Sequence, residues 1–378
     1  MSSRTCEQVA AATLLCLPQM DPQWLEALVE HFGSWTLALD AVRHRRATAA
    51  LVAYDAGGPA RRRRDPRAIA ARWQRAVEAS TVPATLEARD TRVLALGGGN
   101  YPIADALPHR PPVLLAEGAA PAVLTRPRVA VVGTRAASPS GLEDALDLGR
   151  VLAEAGVTVV SGLAIGIDAA AHEGALSGGG GVVGVVATGL DVVYPRRHAT
   201  LFERVRRAGL ITGETAFGVQ PERWRFPIRN RIIAALADVV VVVEATMHGG
   251  SRITAEYALE YGRAVLAMPG SRRNPAAAGC NALLADGAHP LLDPSDVFLA
   301  LGLTGGARGW SPVAERPAPT GTAAAVLRAC HGEAAHPDEL VARTGIEART
   351  VAAALVELER TSWLRRAGAS YWPLSTTA

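Results

Sequence analysis

The densest chemical constellation in the sequence is Arg223-Trp224-Arg225-Phe226-Pro227-Ile228-Arg229-Asn230-Arg231, which leads into an apolar helix. Guanidinium groups make bidentate contacts to phosphate. Trp224 or Phe226 offers a π-face on which a base can stack whatever the sequence. The same pattern also suits core aromatics with a solvated arginine rim, so its neighbours decide. Four glycine-rich or small turns follow short apolar runs and open helices: Gly133-Thr134-Arg135, Ser161-Gly162-Leu163-Ala164-Ile165-Gly166, Thr188-Gly189-Leu190 and His248-Gly249-Gly250-Ser251-Arg252. Each exposes backbone N–H groups at a helix start, where partial positive charge favours an anion. Adjacent strands lie about 4.8 Å apart, so neighbouring turns can hold successive phosphates of one nucleic-acid strand.

Other chemistries fit less well. No G-x-G-x-x-G follows Val132, and the chain contains no lysine, so there is no P-loop lysine. Asp168 and His172 share a helix face but have no nucleophile beside them. They read as a helix cap and a histidine packed back onto it rather than an acid/base pair. Ser161 and Ser251 have no evident base partner, and Glu244, His248 and His289 lack metal-ligand spacing. Cys6, Cys16, Cys280 and Cys330 form no C-x-x-C. The expectation is therefore no catalytic residue, no metal and no cofactor, in a reducing cytoplasmic compartment.

The elements that must position these residues alternate. Valine-rich runs at Val129–Val132, Val157–Ser161, Val182–Ala187, Leu210–Thr212, Val239–Glu244 and Val265–Met268 read as strands covered on both faces. Helices are expected between them at Leu142–Ala155, Ala169–Leu176, Thr200–Arg207, Arg231–Ala237 and Thr254–Tyr261. The predicted core is an α/β, Rossmann-like doubly wound sheet over residues 82–301. Residues 1–81 read as helical: Asp21-Pro22 opens a helix, Gly33 ends it and Ser34 caps the next. Arg61–Arg64 reads as a solvated surface. A Gly/Pro-rich linker is expected over 302–320, followed by a winged helix over 321–378 with a turn at Gly345 and a wing around Gly368. Its presumed recognition helix, Arg349–Arg360, carries Glu357 and Glu359 and few donors, which speaks against base reading.

Charge supports the same site. The 378 residues carry 39 basic and 36 acidic side chains, a net charge of only +3. Between Arg196 and Arg231, however, nine arginines face three acids, Glu203, Glu214 and Glu222. Every fixed side-chain cation is an arginine, planar and always charged. No apolar run approaches the roughly 18 residues of a membrane span. Val9–Leu17, preceded by Glu7, does not read as a signal peptide.

The motifs Val129–Arg135, Ser161–His172, Tyr194-Pro195, Phe226–Ile233, Gly250–Ala255, Gly262-Arg263, Met268–Gly270 and Gly279–Asn281 resemble, in order and spacing, the DNA-processing protein A family (DprA, also called Smf). The likeness runs from about Val93 to Phe298. The N-terminal helices, with Phe32-Gly33-Ser34, resemble the family's sterile-alpha-motif or helix-hairpin-helix-like domain, and the C-terminal unit resembles its winged helix. The resemblance implies an extended Rossmann fold that forms a homodimer and binds single-stranded DNA without sequence preference. It further implies protection of that DNA and loading of RecA during natural transformation, with single-strand-binding protein as an additional partner. Carried over, Gly133, Thr134 and Arg135 form the phosphate loop. Arg229, Asn230 and Arg231 line a positive pocket, and Arg223 stands beside a stacking Phe226. Ser161, Gly162, Gly250, Ser251, Arg252 and Thr254 complete the expected nucleic-acid site. The family often has Ser-Gly-Ser-Leu where this chain has Gly249-Gly250-Ser251-Arg252, and positions often lysine in the family must be arginine or absent here. The rival reading is a Rossmann-type nucleotide-processing enzyme resembling phosphoribohydrolases, with Met268-Pro269-Gly270 as its motif and Glu256 as its ribose-side glutamate.

Overall fold

The computed structural model describes residues 4–56, 65–104, 106–303, 319–330, 335–361, 363–367 and 370–373. Arg61–Arg64, most of the linker expected over 302–320 and the Gly368 turn lie outside the described residues. The chain divides into two compact units: residues 1–137 with 144–307, and residues 308–378 with the short segment 138–143.

Among the described residues six helices open the first unit: α1 (Cys6–Leu15), α2 (Pro22–Phe32), α3 (Trp35–Arg43), α4 (Thr48–Ala56), α5 (Pro66–Glu78) and α6 (Val82–Ala88). Local chemistry fixes their ends. Asp21 accepts from Trp24 N before α2, Gly33 closes that helix at φ +83°, and Ser34 accepts from Leu37 N before α3. Leu14, Leu25 and Trp73 belong to the same core as Val93 and Val129. Packing is therefore continuous across residue 81, and the chain stays helical through α6 before the first strand.

Nine strands follow among the described residues: β1 (Arg92–Ala95), β2 (Val113–Glu117), β3 (Arg128–Val132), β4 (Thr158–Ser161), β5 (Val182–Val185), β6 (Leu210–Gly213), β7 (Val239–Val242), β8 (Ala264–Ala267) and β9 (His289–Pro290). Their order is β1-β2-β6-β5-β4-β3-β7-β8-β9. The six expected strands are β3 to β8, all parallel, with β9 also parallel at one edge. At the other edge β2 pairs antiparallel with β6 and β1 antiparallel with β2. The β–α alternation gives no cue to this antiparallel edge, because no crossover helix joins β1 to β2.

Successive strand residues alternate between two cores, as period-two geometry requires. Val129, Val131, Val239 and Val241 pack with α7 (Pro139–Glu154), α8 (Ile167–Ser177) and α9 (Ala199–Ala208). Ala130, Val132, Val240 and Val242 pack with α10 (Arg225–Leu236), α11 (Gly250–Glu260) and α12 (Ala278–Ala285). The sheet is thus doubly wound. After β6 the chain returns to the far side of β3 to form β7, which makes the β3/β7 boundary the topological switch point, where such folds bind ligands. Helix α13 (Pro294–Ala300) ends the unit.

The helices between the strands all begin earlier than the sequence suggests, two of them by more than a turn. α10 starts at Arg225 rather than Arg231, with Pro227 tolerated in its first turn. α11 starts at Gly250 rather than Thr254. The second unit has helices α14 (Gly321–Ala329), α15 (Pro337–Thr344) and α16 (Ala348–Arg360), with the hairpin β10 (Leu364–Ala367) and β11 (Ser370–Pro373) as the wing. Val326, Leu340, Val351 and Leu355 form its own core, and Gly345 takes the left-handed turn at φ +66°.

Candidate nucleic-acid interface

A cleft of about 630 Å³ opens at the carboxyl ends of β3 and β7. Three segments supply most of its lining, Gly133–Arg135 after β3, Gly249–Ser251 with Thr254 at the start of α11, and Arg223, Phe226, Arg229 and Asn230 from α10 and the residues before it; Ala164, Asp168 and Tyr194 also line it. The first is tethered on both sides. Thr134 N donates to Glu244 O at 2.7 Å, and Thr134 O accepts from Ile167 N at 3.3 Å. A side chain at Gly133 would meet Glu244 O at 2.8 Å, so the two loops approach as closely as they do only because this residue is glycine.

Arg135 and Arg223 are exposed, and neither has an acidic partner among the described residues. The Arg135 guanidinium lies over the Phe226 ring, 5.0 Å from its centroid, and Tyr194 stands beside that ring at 5.5 Å. Tyr194 lines the cleft without having been assigned a role from sequence. Its place after β5 gave no signal beyond the Tyr-Pro dipeptide.

Arg229 forms the floor. Its guanidinium donates to Gly162 O at 2.8 Å and to Val185 O, so it ties together the ends of β4 and β5. Asp168 approaches from the other side and accepts from Gly162 N at 3.1 Å. A Cβ on Gly162 would stand 2.5 Å from Arg229 Nη2 and 2.7 Å from Asp168 Oδ2. Burial pushes Arg229 down to about 10, with Asp168 opposing and Arg135 adding to the fall. Burial likewise raises the Asp168 carboxyl, against the pull of Arg229 and of backbone N–H groups. At neutral pH Arg229 stays charged, and Asn230 Nδ2 donates to Gly250 O at 2.9 Å, linking α10 to α11.

The start of α11 leaves polar groups without partners among the described residues. Its N-cap, Gly249, supplies no side-chain cap. Ser251 lines the cleft, is 7% exposed, and its hydroxyl has no hydrogen-bond partner among the described residues. A phosphate oxygen would satisfy that hydroxyl and the free N–H groups of the first turn together.

Four expected residues do not line the cleft. Ser161 is buried, with its hydroxyl donated to Val131 O at 2.7 Å. Gly162 serves as the spacer between Arg229 and Asp168. Arg231 points into the core and pairs with half-buried Glu214. Since α10 starts early, Arg229 and Arg231 fall about 200° apart around one helix and face different ways. Arg252 turns back to Met247 O at 3.1 Å and towards Asp286. The Thr188–Leu190 turn also stands apart, with Leu190 lining a separate hollow beside Arg89 and Glu117. Asp168 does not cap α8, whose N-cap is Gly166; it holds the Gly162 amide instead. Glu256 is exposed on α11 and outside the cleft, so the rival enzyme loses its glutamate. No cluster of metal-ligating side chains occurs among the described residues, and no helix among them is long and apolar enough to cross a membrane.

A family profile described as DNA recombination-mediator protein A matches residues 92–302, and one described as the DprA winged helix domain matches 311–359. The chain is 36% identical to Protein Smf of Synechocystis over 264 residues, 62% of this chain and 66% of that protein, so the match spans just under two-thirds of that relative. Among solved structures, DNA processing protein A from Streptococcus pneumoniae superposes with a TM-score of 0.62 at 31% identity, covering 79% of this chain and 98% of that one. DNA processing protein A from Helicobacter pylori, described for its single-stranded DNA binding mode, matches with a TM-score of 0.50 at 28% identity, over 56% of this chain and 95% of that one. With the doubly wound sheet, the cleft at its switch point and both profiles in agreement, this chain belongs to the DNA recombination-mediator protein A family.

Proposed function

We propose that this chain binds single-stranded DNA in the β3/β7 cleft without sequence preference, shields it, and passes it to RecA during transformation and recombination. The observation that carries this reading is the combination inside one cleft of two unpaired arginines, a buried unsatisfied hydroxyl at a helix start, and aromatic rings. These groups match phosphate and base, and none of them reads a base edge. The cleft contains no arrangement of nucleophile and base, so the role proposed is binding without turnover. The family's description as a recombination mediator supports delivery to a recombinase, and the relative from Helicobacter supports single strands as the ligand. Further partners proposed are single-strand-binding protein and a second copy of this chain, for which Leu292 and Leu299 offer exposed apolar side chains. The compartment proposed is the cytoplasm, in keeping with four free cysteines.

Fluorescence anisotropy with a labelled dT oligomer and its duplex counterpart, titrated with salt, tests the reading. The parent should prefer the single strand, with affinity falling as salt rises. Arg135→Ala should weaken binding about tenfold and reduce the salt slope by roughly one phosphate contact. Equal affinity of parent and variant would place the strand elsewhere. Nucleation of RecA on DNA coated with single-strand-binding protein, with and without this chain, tests the delivery step.

A further inference from the structure

Trp224 immediately precedes α10, between two residues that line the cleft, Arg223 and Phe226, yet it does not line the cleft itself. It is 55% exposed. One face of its ring is occupied: the Arg225 guanidinium lies 4.3 Å from the ring centroid, and Arg225 Nε donates to Glu222 Oε2 at 2.8 Å. The Glu222–Arg225 pair thus braces the indole from one side while more than half of the residue meets solvent. Phe226 is in the opposite condition, with Arg135 over its ring and Tyr194 beside it. Of the aromatic residues about the mouth Trp224 is therefore the most open, at 55% exposed against 41% for Tyr194.

We propose that Trp224 is a second stacking platform, on which a base of the strand lies as the strand leaves the cleft past Arg223. The proposal rests on the single-stranded DNA reading of the cleft and adds a site outside it. An indole held by a neighbouring guanidinium loses little freedom when a base covers it. Because Glu222 neutralises Arg225, the platform contributes stacking rather than a phosphate contact, so its contribution does not depend on salt.

The test uses the full chain with dT oligomers of about four and about sixteen nucleotides, which span the site sizes of such grooves. Trp224→Ala should weaken binding of the longer oligomer about 5- to 100-fold, leave the shorter one within about twofold, and leave the salt slope unchanged. Trp224→Phe should recover most of the affinity, and the tryptophan quenching that the parent shows on binding the longer oligomer should fall in this variant. If Trp224→Ala binds the longer oligomer like the parent, or weakens both lengths equally, the platform is overturned while the cleft stands. If the parent binds neither oligomer, the cleft reading fails first and the platform with it. An unchanged thermal midpoint in Trp224→Ala separates lost stacking from lost folding.

Discussion

Arg135, Arg229 and Arg231 share one side chain and do three different things. Arg135 is solvated at the cleft mouth, free to exchange counterions for a phosphate. Arg229 gives Nη1 to the carbonyls of Gly162 and Val185, which fixes its charge at the floor of the cleft. Arg231 is a buried ion-pair member, with 7% of its side chain exposed against 13% for Glu214. Removing one partner of such a pair leaves the other charge buried and alone. Arg231→Ala should therefore lower stability by about 3–5 kcal/mol in urea denaturation, and the double variant Arg231→Met with Glu214→Leu should recover most of the loss. A midpoint unmoved in the single variant would contradict the pairing. Loss of DNA binding in an Arg231 variant would accordingly report on folding rather than on contact.

At the scale of elements, the cleft depends on one turn holding another. The turn between β4 and α8 passes through Gly166 at φ +87° and ψ −130°, a region nearly closed to other residues. A Cβ there would collide with Thr134 O and stand 3.0 Å from Arg135 Cα. The β4–α8 turn thus supports the loop that carries Arg135. Gly166→Ala should cost on the order of 1–3 kcal/mol of stability and weaken dT binding at the same time, read by thermal melts and anisotropy on one preparation. Normal DNA affinity in a destabilised variant would show the two turns to be uncoupled. The close packing of α10 against α11 works in the same way, since the Asn230 bond to Gly250 O fixes the helix start that presents Ser251.

At the scale of the whole molecule, the first unit is built over a sheet whose two faces are both covered, and the second has a core of its own. The unfolding of the first unit is therefore best followed through probes within it, such as the edge-to-face pair Trp24 and Trp73. One buried group makes that stability depend on pH. His172 is fully buried on α8, and burial pushes its imidazole down to about 4, against a backbone contact from Ser161. The unfolded chain takes up that proton near pH 6.5. Between about pH 6.5 and about 4 the unfolded state holds more protons, so stability falls as the pH falls, by about 3 kcal/mol in full. The raised carboxyl of Asp168 acts with the opposite sign in acid. The difference between parent and His172→Leu therefore isolates the histidine, and the variant should lose less stability than the parent from neutral to acid pH in thermal melts. Parallel curves would show that the imidazole titrates alike in both states.

The valine runs, the glycine turns behind them, the caps at Asp21 and Ser34 and the winged-helix pattern are local signals, because strand burial, left-handed turns and capping each depend on a few consecutive residues. From them the sequence by itself determined the parallel core β3 to β8, the loop Gly133–Arg135 and the basic-aromatic segment from Arg223 onwards. Tertiary structure decided which of those residues face the cleft. Arg229 meets Gly162 and Val185, which lie 67 and 44 residues away in the chain, and Arg231 meets Glu214 across a strand-to-helix connection. No periodicity along α10 announces that one of these arginines lies under the cleft and the other in the core. Such contacts arise only once the sheet has folded, when desolvation makes every buried guanidinium find a partner.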